Sequence, residues 1–253
     1  MSPEPVRSTA RVSARARRAL DQLHDKGYNF DVDRRHELTP EHGWHVDSYC
    51  QALPPEPPGP PVPGGSWEVA RGLLERYEFA DPAIVRAVYH PDVPLADRNM
   101  VLEGRFYGLR FLLGLRVGGV NDLTENEDGR SVRKWGWNYR TLQGHLEMGQ
   151  MDYEIWKWLD SGDVEFRIGA VSKAAIIPNP IVRFGFRLFG RHMQTRFARR
   201  AQERMADLVT AELVAQSTGA AAHRPSVATV RDVPVEPASA TPAAADHLER
   251  QHD

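Results

Sequence analysis

The residues best placed by type and spacing to do chemistry lie in one stretch, Tyr139-Arg140-Thr141-Leu142-Gln143-Gly144-His145-Leu146-Glu147-Met148-Gly149. A histidine and a carboxylate two residues apart point the same way on an extended backbone, and a carboxylate beside an imidazole raises its basicity and fixes its tautomer. With Tyr139 as a hydrogen-bond donor, His145 and Glu147 form a candidate acid/base set for a carbonyl-bearing substrate, of cyclase or hydrolase type. The alternative is architectural: Gly144 and His145 shape a specific turn, the ring bonds backbone groups, and Glu147 satisfies nearby amides. Two ligands without a third at matching spacing do not close a coordination sphere, so neither a metal nor a cofactor is expected.

The elements that must position this stretch are strands. Trp135, Trp137 and Tyr139 alternate along one segment, and Tyr153, Ile155 and Lys157 along the next, so each strand presents one aromatic face. Such a face must be covered, by core packing against a helix or by an apolar ligand. The expected lining of a ligand site is Trp135, Trp137, Tyr139, Thr141, Tyr153 and Phe197, the last from a helix.

Around these strands the chain divides readily. The alternation from Gly43 to Tyr49 suits a half-buried strand, and the proline-rich insert 54–65 reads as an extended, solvated connection, since most of its residues cannot donate to a ladder or helix. Ser66 is placed to cap a helix through Tyr77, and Asp81-Pro82 to open a second short helix through Tyr89. Extended segments follow over 101–109, 110–123, 131–142, 148–159 and 164–171. Asn126-Glu127-Asp128-Gly129 and Asp160-Ser161-Gly162-Asp163 supply hairpin turns, so the later strands form an antiparallel meander. A helical pattern resumes after Pro180 and runs to about Val214, with Met193, Phe197, Ala201, Met205 and Leu208 as its apolar stripe.

Written as Y-x-T-L-x-G-H-x-E-x-G, the Tyr139–Gly149 stretch resembles the signature of the domain of unknown function family DUF1990, and the likeness continues through Ala170-Val171-Ser172 and from Phe184 to Phe197. Gln150 departs from it, standing where relatives carry an acid, which weakens any scheme needing a second carboxylate there. The resemblance spans about residues 43–214. Element order is similar to that of START-like and Bet v 1-like proteins: an α+β helix-grip fold in which a curved antiparallel sheet wraps a long C-terminal helix. That fold implies a cavity between sheet and helix, and so a partner that is an apolar or amphipathic small molecule.

Composition narrows the alternatives. The 32 Lys and Arg nearly balance 34 Asp and Glu, so no global field draws the chain to nucleic acid, and no nucleic-acid partner is expected. Arg183, Arg187 and Arg191 recur every four residues among aromatic side chains, a pattern suited to weak contact with an anionic membrane. A lone Cys50 excludes an internal disulfide, and no leader-like or spanning apolar run is present, so a cytoplasmic protein is expected. No phosphate-cradling, dinucleotide, nucleophile-elbow or H-E-x-x-H motif occurs. Residues 1–26, basic and sparse in apolar groups, read as a flexible N-terminal segment; 27–216 as one domain; and 217–253, almost without bulky apolar residues, as a disordered tail.

Overall fold

The computed structural model describes residues 12–106, 109–175 and 180–219, the side chains of 35, 105–109 and 180–190 excepted. Seven strands, β1 (His45–Leu53), β2 (Val85–Val88), β3 (Asn99–Phe106), β4 (Leu109–Glu127), β5 (Arg130–Thr141), β6 (Glu147–Trp158) and β7 (Val164–Ala174), form one sheet in the order β1-β7-β6-β5-β4-β3-β2. Every pairing is antiparallel. Helix α1 (Ala14–Asp21) lies on one face, while α2 (Ser66–Glu75) and the 39-residue α3 (Pro180–Thr218) cover the other. This is the helix-grip arrangement, with the long C-terminal helix held by the sheet.

The inner face follows from period-2 alternation. Leu53 of β1, Leu115 and Val117 of β4, Trp135, Trp137 and Tyr139 of β5, Tyr153 and Ile155 of β6, and Val164, Phe166 and Ile168 of β7 all enter one core with Ala201, Met205 and Val209 of α3. A shift of register between Val117 and Gly119 marks a bulge in the long strand β4, the kind of irregularity that lets a sheet bend around what it encloses.

Three expectations are corrected. The segment after Asp81-Pro82 is not a helix: Asp81 makes a single turn, its side chain accepting from Ala83 N and its carbonyl from Ile84 N and Val85 N, and the β-branched residues that follow pair with β3 as strand β2. Sheet pairing overrides the capping signal. Secondly, the N-terminal segment is ordered from residue 12 onward, because Ala16, Leu20 and Leu23 share a helical face and pack on Val88, Val101 and Leu142 of the outer sheet surface. Gly114 leaves room for Leu23, whose Cδ2 would lie 2.6 Å from a Cβ there, and Arg116 ties the end of the segment by donating to Leu23 O and Lys26 O. Residues 1–11 and 220–253 lie outside the described residues.

Thirdly, the proline-rich insert is not merely a solvated connection. It carries Glu56 inward, where the carboxylate meets fully buried Lys157 at 2.5 Å and accepts from Val62 N and Trp67 N. Lys157 also donates to Pro60 O at 2.9 Å. Few prolines could satisfy their own segment by backbone pairing, so a buried, hydrogen-bonded ion pair does it instead. Glu56 Oε1 sits where a side chain at Gly65, the N-cap of α2, would intrude, so the same carboxylate fixes the start of that helix.

Candidate functional site

The Tyr139–Gly149 motif is the tip of the β5–β6 hairpin. Thr141 Oγ1 donates to Asn29 Oδ1 and receives Gly149 N at 2.9 Å; Asn29 in turn donates to Glu147 O at 2.7 Å. Gly144 has φ +88° and Gly149 φ +149°, and a Cβ at Gly149 would meet Val171 O at 2.0 Å, so both positions require glycine. Most of the motif is therefore turn construction, and the Thr141 hydroxyl, expected to line a ligand site, is occupied in holding that turn.

His145 precedes β6 rather than lying in it, so period-2 alternation does not align its ring with the Glu147 carboxylate. Its Nδ1 lies 2.9 Å from Glu147 N and 3.0 Å from Glu147 O, so either tautomer ties the ring to the Glu147 backbone. Burial lowers its basicity to about 4, against the backbone hydrogen bond at Glu147, which raises it, so the imidazole is neutral at pH 7. The expected His–carboxylate pair does not form: the ring bonds the Glu147 backbone, and the carboxylate turns inward toward α3. There Gln194 Nε2 donates to Glu147 Oε1 at 2.5 Å and to Ser172 Oγ at 3.0 Å. Desolvation raises the Glu147 carboxyl to about 7, opposed by Gln194 and the charge of Arg191.

Next to it on the inner face is a chain of phenols. Tyr153 donates to Tyr139 Oη at 3.2 Å, Tyr139 donates to Met151 Sδ at 3.0 Å, and the Tyr77 and Tyr153 oxygens are 3.5 Å apart. Burial pushes Tyr139 up to about 12 and raises Tyr77 and Tyr153 well above the ordinary phenol value, so all three remain protonated donors. Tyr77 closes α2 at φ 61°, a left-handed conformation costing a non-glycine residue about 1–2 kcal/mol. Its burial between Phe79, Trp137 and Tyr153, with centroids 4.7–6.1 Å away, offsets that strain. Trp135 and Trp137 are 3% and 1% exposed, and Trp137 Nε1 donates to Leu74 O; they pack against protein, not against open space.

Accessibility changes along the interface between α3 and the sheet. Val209, Met205, Ala201 and Ala198 of α3 are sealed, yet Phe197 and Met193, one and two turns earlier, are half-buried. Four strands repeat the gradient, Leu115 to Leu113 on β4, Tyr153 to Met151 on β6, Ile168 to Ala170 on β7 and Leu53 to Tyr49 on β1, while β5 stays buried through Tyr139 and Thr141. These half-buried inward residues converge on the end that holds Glu147, Gln194, Ser172 and the pair Asp47–Arg191. Of that set, Asp47, Ser172 and Gln194 were not among the expected site residues, Ser172 having entered only through the family likeness. The period-2 placement of Asp47 with Tyr49 was the available signal; Gln194 follows Met193 on a helix and carried none.

Arg191, expected to face a membrane, gives its guanidinium to Asp47 on the edge strand β1. The side chains of Arg183 and Arg187 lie outside the described residues. Among the described residues no three His, Cys, Asp or Glu come together as a metal site, and no helix is long and apolar enough to cross a membrane.

No curated protein matches the chain. Among solved structures it is similar to a major latex-like protein from Panax ginseng (9% identity, TM-score 0.37, covering 65% of this chain and 96% of that one). It is also similar to a START superfamily protein from Mycobacterium smegmatis (15%, 0.34, 65% and 99%) and to the Zhui aromatase/cyclase from Streptomyces sp. R1128 (13%, 0.35, 70% and 98%). The fold assignment rests on the strand order and helix placement described above. The model of the domain of unknown function family DUF1990 matches residues 28–204, from the segment that pins the β5–β6 turn to the sealed half of α3, and the chain belongs to that family.

Proposed function

We propose that this protein holds an apolar or amphipathic small molecule between its sheet and α3, at the end where the interface loosens. The observation that carries this reading is the concerted gradient of burial: inward apolar side chains on five elements pass from sealed to half-buried toward the same end. Water-accessible apolar surface facing inward is costly to leave uncovered, by about 25 cal/mol per Å², so an apolar guest is favoured there. Tyr139, Met151, Tyr49, Met193 and Phe197 supply apolar contact, and Glu147, Gln194 and the Tyr139 hydroxyl supply orientation. Trp135, Trp137 and Tyr153 serve as the rigid floor behind them. Native mass spectrometry of the protein incubated with a lipid extract is expected to retain a bound mass, and a Met151→Trp variant to lose it. An apoprotein mass alone, at every extract concentration, would contradict the reading.

One observation favours a catalytic use of the same place: a carboxyl poised at about 7, beside a phenol donor, suits proton transfer at neutral pH. In that reading Glu147 exchanges the proton, Tyr139 binds a carbonyl oxygen, and His145 positions the turn. Turnover of a polyketide-like carbonyl compound that disappears in Glu147→Gln is the test, and absence of turnover in the wild type removes it.

A further inference from the structure

Glu147 faces inward at the loosened end with its charge uncompensated. Its side-chain partner is Gln194, a neutral amide, and among the described residues it makes no ion pair. Arg191 of α3, the cation that acts on it, is already bidentate to Asp47 of β1, so those two charges cancel. His145 in the turn is neutral, and Tyr139 of β5 remains a protonated phenol. From β7 the facing group is the Ser172 hydroxyl. Among the described residues the local sum is one carboxylate, at the end where Met151, Met193 and Phe197 are half-buried.

A desolvated carboxylate without a counter-ion is costly, and it relieves that cost by taking up a proton or by gaining a cation. We propose, building on the small-molecule reading above, that the ligand is a cationic amphiphile: an apolar body carrying a protonated amine whose N–H groups donate to the Glu147 carboxylate. An acidic ligand would meet repulsion there, and a neutral alcohol would donate a hydrogen bond to the carboxylate without compensating its charge. Because Glu147 must ionise to pair, amine binding displaces its proton into solvent, and affinity rises with pH through about 7 while the amine itself remains charged.

Three probes of equal chain length separate the possibilities: dodecylamine, 1-dodecanol and dodecanoate, titrated calorimetrically into the full chain at pH 6 and pH 8. Dodecylamine is expected to bind about ten-fold or more tightly than dodecanol at pH 8, a preference of about 1.4 kcal/mol. Dodecanoate is expected to bind most weakly, and the amine preference to shrink at pH 6. Glu147→Gln should erase the preference for amine over alcohol; the pH comparison gives the same information without a variant. Equal binding of amine and alcohol, or tighter binding of dodecanoate, would overturn the amine assignment and leave the small-molecule reading standing. Binding of none of the three would overturn both.

Discussion

The two ends of the helix–sheet interface are built from similar residues and differ in what closes them. At one end Ala201, Met205 and Val209 meet Tyr153, Ile155 and Phe166 with no exposure above 0%, and the buried Glu56–Lys157 pair secures the proline-rich segment and the start of α2 beside them. At the other, Met193, Phe197, Met151, Tyr49 and Leu113 face inward half-buried, and the polar groups among them include a carboxyl bonded to a neutral amide and a phenol bonded to a thioether. The sealed end resembles an ordinary protein interior, close-packed and with its buried charges paired. At the loosened end apolar side chains stay half-buried and the polar groups bond neutral partners. A scaffold needs only the first arrangement; a receptor needs the first to hold the second.

The largest effect expected from breaking the contrast is at the sealed end. Glu56→Ala leaves Lys157 as an uncompensated buried cation and should cost about 3–5 kcal/mol of folding free energy in urea denaturation. A cost near zero would mean that the pair is not what seals this end. Methionine gives a matched comparison: Met205→Ala should cost about 2–5 kcal/mol by leaving a cavity in close packing, whereas Met193→Ala should cost under about 1 kcal/mol, because that side chain is only half-buried. Equal losses would erase the distinction between the ends.

The pH dependences of the two motif residues have opposite signs. His145 binds its proton less readily folded, at about 4 against an ordinary 6.5, so its contribution is intact above pH 6.5 and is lost as pH falls toward 4. Glu147 holds its proton more tightly folded, at about 7 against 4.5, so its contribution is intact below pH 4.5 and is lost as pH rises through 7. Denaturation midpoints of Glu147→Gln should therefore lack the decline between pH 4.5 and 7, and those of His145→Asn the decline between 6.5 and 4. A Glu147→Gln profile parallel to the wild type would show that the carboxyl is not desolvated.

Much of this was legible in the sequence, for physical reasons that differ by element. Strands β3 to β7 and α3 announced themselves because their apolar periods and glycine turns agree with the packing they enter. Strand β2 did not: its Asp-Pro start is a sound helix signal locally, and only pairing with β3 decides otherwise. Helix α1 was obscured because Ala16, Leu20 and Leu23 form a narrow stripe among arginines, enough for docking on a ready-made sheet face but not for an independent helix. At the site, the motif was found but its labour was divided differently. Thr141, Gly144, His145 and Gly149 build the turn, and Glu147 uses it to reach α3, a partnership that a spacing of 47 residues to Gln194 could not disclose.

The most direct test follows methionine methyl groups, since the chain has 6 methionines and both ends of the interface hold them. In a carbon–proton methyl spectrum of the methyl-labelled protein titrated with dodecylamine, the resonances of Met151 and Met193 are expected to shift together and saturate, while those of Met100 and Met205 stay in place. Shifts confined to Met100 and Met205, or no saturable shift at any of the four, would contradict a guest held at the loosened end.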